Sequence, residues 1–293
     1  MAHTSLRRRW TSRLRTLARN GDGGTEGARD GEKIRLRPSF SLSLCLSFAL
    51  SLLLTACTAS TQPVVKIGLV APFEGRYRPI GYEAIYAVRL AIREINAQGG
   101  INGQRVELVA LDDRGEPDKA IEAARQLVLD PQVVAVIGHL LPDSTDAATK
   151  IYCEAGLPVI ALESATSNCK GAFVMGSAPR ERWLEDRLIF VSNVPDPNGS
   201  AVAQEFVTKY NAIPIDGTRA GPIALQVYDT LSLLFETFDR TQKIDRAGVK
   251  AALAHINFKG LGATYAFDQQ RKLIEPQTTV FEYDQDRQLH VLP

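Results

Sequence analysis

The sequence predicts an α/β protein built on a doubly wound parallel sheet, with one complete lobe and a second, truncated one. Three observations predict it. Short, mainly apolar runs recur at 66–71, 106–111, 133–137 and 158–162. Stretches with apolar residues three or four apart stand between them, and Gly, Pro and acidic residues mark the junctions. Apolar strands alternating with amphipathic helices make a parallel, Rossmann-like sheet covered on both faces. After Asn168 the alternation fails. Only 19 residues, Cys169 to Arg187, precede the next apolar run, whereas a second such lobe needs more than ~100.

The chain opens outside this pattern. Its first 38 residues carry ten Arg and Lys against four acids, a net charge of +6. Ser39 to Ala56 is uncharged and dominated by Leu, Phe and Ala. A basic segment followed by a short apolar one reads as an export signal, not as part of the fold. The run ends in Leu54-Thr55-Ala56-Cys57, which resembles a bacterial lipobox, whose cysteine is lipidated and becomes the new N-terminus. An uncleaved membrane anchor is the alternative, because eighteen such residues nearly span a bilayer. Either way the globular part is expected outside the cytoplasmic membrane. The expected organisation is a signal with a basic extension over 1–56, a tether over 57–64 and a first lobe over 65–168. A truncated second lobe with C-terminal crossover helices and strands then covers 169–293.

Without 1–56 the charge changes sign. The whole chain is +1, but 57–293 holds 24 Lys and Arg against 29 Asp and Glu, a net of −5. A mildly acidic domain without a basic patch gives no support to nucleic-acid binding. Of four cysteines, Cys45 lies in the signal and Cys57 is the lipidation candidate. An exported location permits a disulfide between Cys153 and Cys169; two free thiols are the other reading. No cysteine spacing suits zinc, and no metal is expected.

Each element follows from local chemistry. Lys66 to Ala71 is the first strand. From Gly81 a helix carries Ala84, Ile85, Val88, Ala91, Ile92 and Ile95 inward, and Gly99-Gly100 stops it. Val106 to Leu111 is the second strand, ending at Asp112-Asp113. Pro117 opens a helix that buries Ile121, Ala124, Leu127 and Val128. Val133 to Ile137 is the third strand. A helix capped by Asp143 or Ser144 follows, ending near Gly156, and Pro158 to Leu162 is the fourth strand. Further on, Leu188 to Ser192 reads as a strand, and helices are expected over 200–210, 222–238 and 245–256, the last capped by Asp245. Strands close the chain around 258, 265–268 and 279–283.

Ligands of such sheets bind beyond the carboxyl ends of the strands, where strand order reverses. The loops at issue are 72–80, 138–143 and 163–168. Ser144, Thr145, Ser164 and Thr166 supply hydroxyls there, and helix starts supply amides for an anion. Each has a plainer reading. Ser144 suits a helix cap, Ser164 and Thr166 sit in ordinary turn composition, and Tyr77 is a loop tyrosine that could pack over a ligand.

At these residues the sequence resembles the type I periplasmic binding proteins, the leucine/isoleucine/valine-binding family of ABC transporters. The resemblance rests on Lys66-Ile-Gly-Leu-Val-Ala-Pro72, Ala91-Ile-Arg-Glu-Ile-Asn-Ala-Gln-Gly-Gly-Ile-Asn-Gly103, Leu111-Asp-Asp113, Val136-Ile-Gly-His139, Ser144-Thr145 and Gly156-Leu-Pro-Val-Ile160. Phe258-Lys-Gly-Leu-Gly262 and Tyr228-Asp229 also match. It implies a binding protein for an amino acid or amide, with Asp143, Ser144, Thr145, Ala165 and Thr166 holding the α-carboxylate and ammonium. It implies ABC permease partners, while the lipobox likeness implies a lipid anchor through Cys57 on the outer face of the cytoplasmic membrane. A sensory relative that binds a protein partner is the alternative. Leu141-Pro142 stands where the family has small hydroxyl residues, and Leu162-Glu163 carries an extra residue before Ser164.

Enzyme chemistry finds no support. G-x-G-x-x-G, P-loop, H-E-x-x-H and G-x-S-x-G are absent. No cofactor is expected. His139 reads as a structural loop residue, and Asp112-Asp113 as a pair that organises its own loop.

Overall fold

The computed structural model describes residues 62–163, 169–176, 182–184, 187–213, 217–274, 278–284 and 289–292. The expected 1–56 signal, Cys57 and the loop residues Ser164, Ala165 and Thr166 lie outside them. Ser60–Pro293 forms one compact unit.

A five-stranded parallel sheet organises it. In chain order the elements are β1 (Val64–Ala71), α1 (Arg78–Ala97), β2 (Arg105–Asp112), α2 (Pro117–Leu129), β3 (Val133–Ile137), α3 (Pro142–Glu154), β4 (Val159–Ala161) and β5 (Ala172–Val174). The strand order is β2-β1-β3-β4-β5, so the chain reverses direction across the sheet between β1 and β3. Alternation along β1 sorts side chains onto two faces. Ile67, Leu69 and Ala71 join a core with α1, whereas Val70 joins a second core with Ala124 and Leu127 of α2 and Ala148 and Tyr152 of α3. Gly68 also faces α2, and a Cβ there would stand 2.8 Å from the Leu127 side chain. Of the α1 stripe read from the sequence, Ala84, Ile85, Val88 and Ala91 are buried and Ile92 and Ile95 half-buried. α2 buries the expected Ala124 and Leu127 but also Ala120 and Ala123, with Ile121 and Val128 half-buried. Gly99 and Gly100 end α1 at φ of 99° and 78°, the left-handed region that a C-terminal stop needs.

The C-terminal half completes this same body. α4 (Gln204–Asn211), α5 (Pro222–Asp239) and α6 (Arg246–Leu253) follow a short turn at Pro197–Gly199. α5 packs on α1, and its Ala224, Leu225, Leu231, Leu234 and Phe238 share one core with β1 and α1. Glu83 of α1 accepts the Ala224 amide at 2.8 Å, supplying from a neighbouring helix the cap that α5 lacks. Glu94 of α1 accepts from Tyr228 (2.6 Å) and Lys209 (2.7 Å). Arg246 donates to the Val128, Asp130 and Val133 carbonyls at 2.8–3.0 Å and so fastens α6 to the α2–β3 turn. A hairpin, β8 (Asn257–Lys259) and β9 (Thr264–Ala266), docks on α5 through buried Asp229. The Asp229 carboxylate accepts the Leu261 and Gly262 amides at 2.8 Å and the Tyr265 hydroxyl at 3.0 Å.

A second, four-stranded sheet is antiparallel throughout. It comprises β6 (Arg182–Leu184), β7 (Arg187–Ser192), β10 (Thr279–Tyr283) and β11 (Leu289–Leu292), in the order β11-β10-β7-β6.

Several expectations change. Strands β5, β6 and β11 were not expected; the first two are three residues long, too short to display a period. The helix expected over 200–210 is Gln204–Asn211. α3 is not capped by Asp143 or Ser144: its N-cap is Leu141, without a side-chain cap, because Pro142 takes the first helical position. Asp245 does cap α6, accepting the Gly248 amide at 2.8 Å.

Candidate ligand-binding site

The strand-order reversal brings the loops after β1 and β3 side by side, and acidic residues at the end of β2 secure both. Asp112 Oδ1 accepts the Phe73 amide at 2.8 Å and the Arg114 amide at 2.9 Å, fixing the β1–α1 loop. Asp113 is fully buried, with Oδ2 2.6 Å from His139 Nδ1. His139 Nε2 lies 3.2 Å from the Tyr152 hydroxyl, which links the end of β3 to the last turn of α3. Burial, and then the Asp113 charge, hold the Tyr152 phenol far above its usual range, so it stays protonated. This chain of contacts is sealed from solvent, which places His139 as a structural residue.

The predicted residues divide. Thr145 donates its hydroxyl to the Leu141 carbonyl at 2.8 Å and lies 3.3 Å from that of His139, so its proton holds the start of α3. Asp143 is exposed on the same first turn. Tyr77 is half-buried, and its ring packs with Leu141 over Gly115, leaving no room for a Cβ there. Ser144 differs from all of these. Its Oγ is wholly buried and makes no hydrogen bond, one turn into a helix that no side chain caps. A buried hydroxyl without a partner costs roughly 1–3 kcal/mol, a penalty that binding can relieve.

Above this turn the cleft is nearly shut. Ile80, Leu140, Leu162 and Glu163 meet Val191, Ser192, Ile223 and Gln226 around a cavity of about 20 Å³. That is room for about one water and far less than an amino acid needs. Of the predicted binding residues that the structure describes, Tyr77, Asp143, Ser144 and Thr145, none lines it. Ser192 and Gln226, buried and with Oγ 3.5 Å from Oε1, are the polar groups sequence reasoning missed. The signal for Gln226 was present: a polar residue one turn past Pro222 within an apolar stripe. Asn193 donates to the Met175 carbonyl and joins the two segments that cross between the sheets. Cys153 and Cys169 form a disulfide, with Cα atoms 6.2 Å apart, between the last turn of α3 and the entry to β5. Among the described residues no group of three His, Cys, Asp or Glu could hold a metal ion. No helix among them is long and apolar enough to cross a membrane.

Known proteins match the same regions. Residues 64–182 fit the family model described as periplasmic binding protein. An amino acid binding protein of Pseudomonas aeruginosa is 36% identical over 123 residues, 42% of this chain and 32% of the relative. A leucine-, isoleucine-, valine-, threonine- and alanine-binding protein of that organism is 29% identical over 201 residues, 68% of this chain and 47% of the relative. The Leu/Ile/Val-binding protein of Escherichia coli K12 is 33% identical over 96 residues, 33% of this chain and 26% of the relative. The chain thus spans between a quarter and about half of these relatives. Among solved structures, the isoleucine complex of LivJ from Streptococcus pneumoniae superposes with a TM-score of 0.63 at 16% identity, covering 78% of this chain and 99% of that one. LivK from Thermotoga maritima gives 0.62 at 14% identity, covering 78% of this chain and 98% of that one. These neighbours share the fold, a parallel α/β lobe of the type I periplasmic binding proteins. Residues 64–182 thus match the periplasmic binding protein family, and the chain is similar to leucine/isoleucine/valine-binding proteins over part of their length and shares their fold.

Proposed function

We propose that this protein is an extracytoplasmic solute-binding lipoprotein that captures an amino-acid-like ligand of the branched-chain type for an ABC importer. The observation that carries the reading is Ser144, a buried hydroxyl with no partner on the uncapped first turn of α3. Unpaired amides at a helix start, with a hydroxyl beside them, suit a carboxylate. Cys57 is the lipid site, the anchor holds the protein on the outer face of the cytoplasmic membrane, and permease subunits are its partners. The relatives are named as binding proteins, which favours this role over an enzymatic one.

The 20 Å³ cavity sets a condition. A ligand enters only if β7 and the start of α5 part from the loops after β1, β3 and β4. The same cavity favours a second reading, a relative that has lost its ligand and binds a protein partner.

Thermal unfolding with Leu, Ile, Val, other amino acids and short amides separates the two. A ligand at 100 times its Kd stabilises by ~2.7 kcal/mol, a rise of several degrees in the unfolding temperature. Transport predicts such a rise for one ligand class and its loss in Ser144→Ala. A cooperative transition that no ligand moves favours the partner-binding reading.

A further inference from the structure

We propose that a groove beside the C-terminal hairpin is a second small-molecule site, taking a monocarboxylate with an apolar body on Arg271. The groove has a volume of about 430 Å³, within the range of small-molecule sites, and is lined by Ala254, His255, Phe267, Asp268, Gln269 and Arg271. Among the described residues it shares none with the cleft cavity, and it does not depend on the function proposed above.

Arg271 carries the argument. Its φ is 65°, in the left-handed region that glycine occupies freely and other side chains enter at a cost in strain. The backbone is pinned from both sides. Asp268 accepts the Arg271 amide on its carbonyl at 3.0 Å and the Gln270 and Lys272 amides on Oδ1 at 2.8 and 2.9 Å. The Arg271 carbonyl accepts the Val174 amide at 2.8 Å, which ties this turn to the edge of the main sheet. Glycine would serve that turn without strain, so the arginine is there for its side chain. Its guanidinium lies 5.3 Å from the ring centre of buried Phe173, and among the described residues no carboxylate pairs with it.

A stacked, half-buried guanidinium keeps its edge donors, a fork that matches a carboxylate with two parallel hydrogen bonds. The other lining groups define the ligand. Phe267 and Ala254 offer apolar surface to its body. His255, exposed after the end of α6 and with no ring hydrogen bond among the described residues, is a second donor. The Asp268 charge beside the groove disfavours a dianion, which selects a monocarboxylate over phosphate.

The test is a titration of the purified protein with isovalerate, isoamylamine and inorganic phosphate, followed through the backbone amide resonances of residues 254–256 and 267–272. Isovalerate should move these resonances saturably, and the amine and phosphate should not. Arg271→Gln should weaken isovalerate at least tenfold. Arg271→Gly, which relieves the left-handed backbone, should keep cooperative unfolding and lose the response. Isovalerate effects that do not saturate, or that persist unchanged in Arg271→Gln, overturn the proposal and leave Arg271 as a cap on Phe173.

Discussion

Asp229 is a carboxylate held where carboxylates are rarely comfortable. Burial pushes its pKa from 3.8 up to about 6, against the opposing pull of the Leu261 and Gly262 amides and the Tyr265 hydroxyl. Because the folded value lies above the unfolded one, the folded state binds the extra proton between them. Its contribution to stability is therefore complete below about pH 4 and is lost as pH rises through about 6. Urea unfolding at pH 4, 5, 6 and 7 should show stability falling by roughly 1.4 kcal/mol for each pH step inside that window. Asp229→Asn should flatten the slope. Gly260 is the matching constraint on the hairpin, since a Cβ there would overlap the Asp229 carboxylate. Gly260→Ala should cost about 1–3 kcal/mol and lower the unfolding temperature by several degrees. Tyr228-Asp229 and Phe258-Lys-Gly-Leu-Gly262 stood out in the sequence as separate motifs. That the second closes on Asp229 was not legible, because no local pattern pairs residues more than thirty positions apart. Ser144 stood out in the sequence as a candidate through its place after a strand, and its Oγ is buried without a hydrogen bond. Thr145 read the same way, yet its hydroxyl turns back onto Leu141, a rotamer choice that sequence does not disclose.

At the scale of elements, periodicity worked wherever a segment was long enough to repeat itself. α1, α2, β3 and α5 fall within a few residues of their expected bounds, since each carries several apolar positions of one period. β5 does not, because Ala172–Val174 owes its existence to pairing with β4 on one side and a bridge to Lys272 on the other. Pairing between α1 and α5 was equally silent. It depends on Glu94, which draws Tyr228 and Lys209 together from two helices. Tyr228→Phe should cost about 1.5–3 kcal/mol, the range for a hydrogen bond to a charged group. Lys209→Met should cost under ~1 kcal/mol, because its side chain is 41% exposed and solvent screens it. Chemical unfolding of both variants checks the order. The disulfide spans 16 residues, so reducing it should remove about 3 kcal/mol, read as a fall in the unfolding midpoint with reductant.

The unit Ser60–Pro293 is closed by its own C-terminal half, with a small second sheet within it. The helices expected to cross over after residue 169 pack on the first lobe: α4, α5 and α6 share the core of β1 and α1. Sequence order alone could not show this, because the chain leaves the main sheet after β5 and returns only after β7. A fragment ending at residue 192 would bare the face of α1 that α5 covers. It should unfold without a cooperative transition in calorimetry, whereas the full chain should give one.

The three bonds from Arg246 to the carbonyls around β3 have a consequence for the order of events in biosynthesis. They form only when residue 246 has emerged, long after the strand they secure has been made. Until α5 and α6 have been made, the side of α1 that α5 covers stays bare and the α2–β3 turn lacks its fastening. A passenger that must thread through a translocation pore before it folds is served by such a late latch.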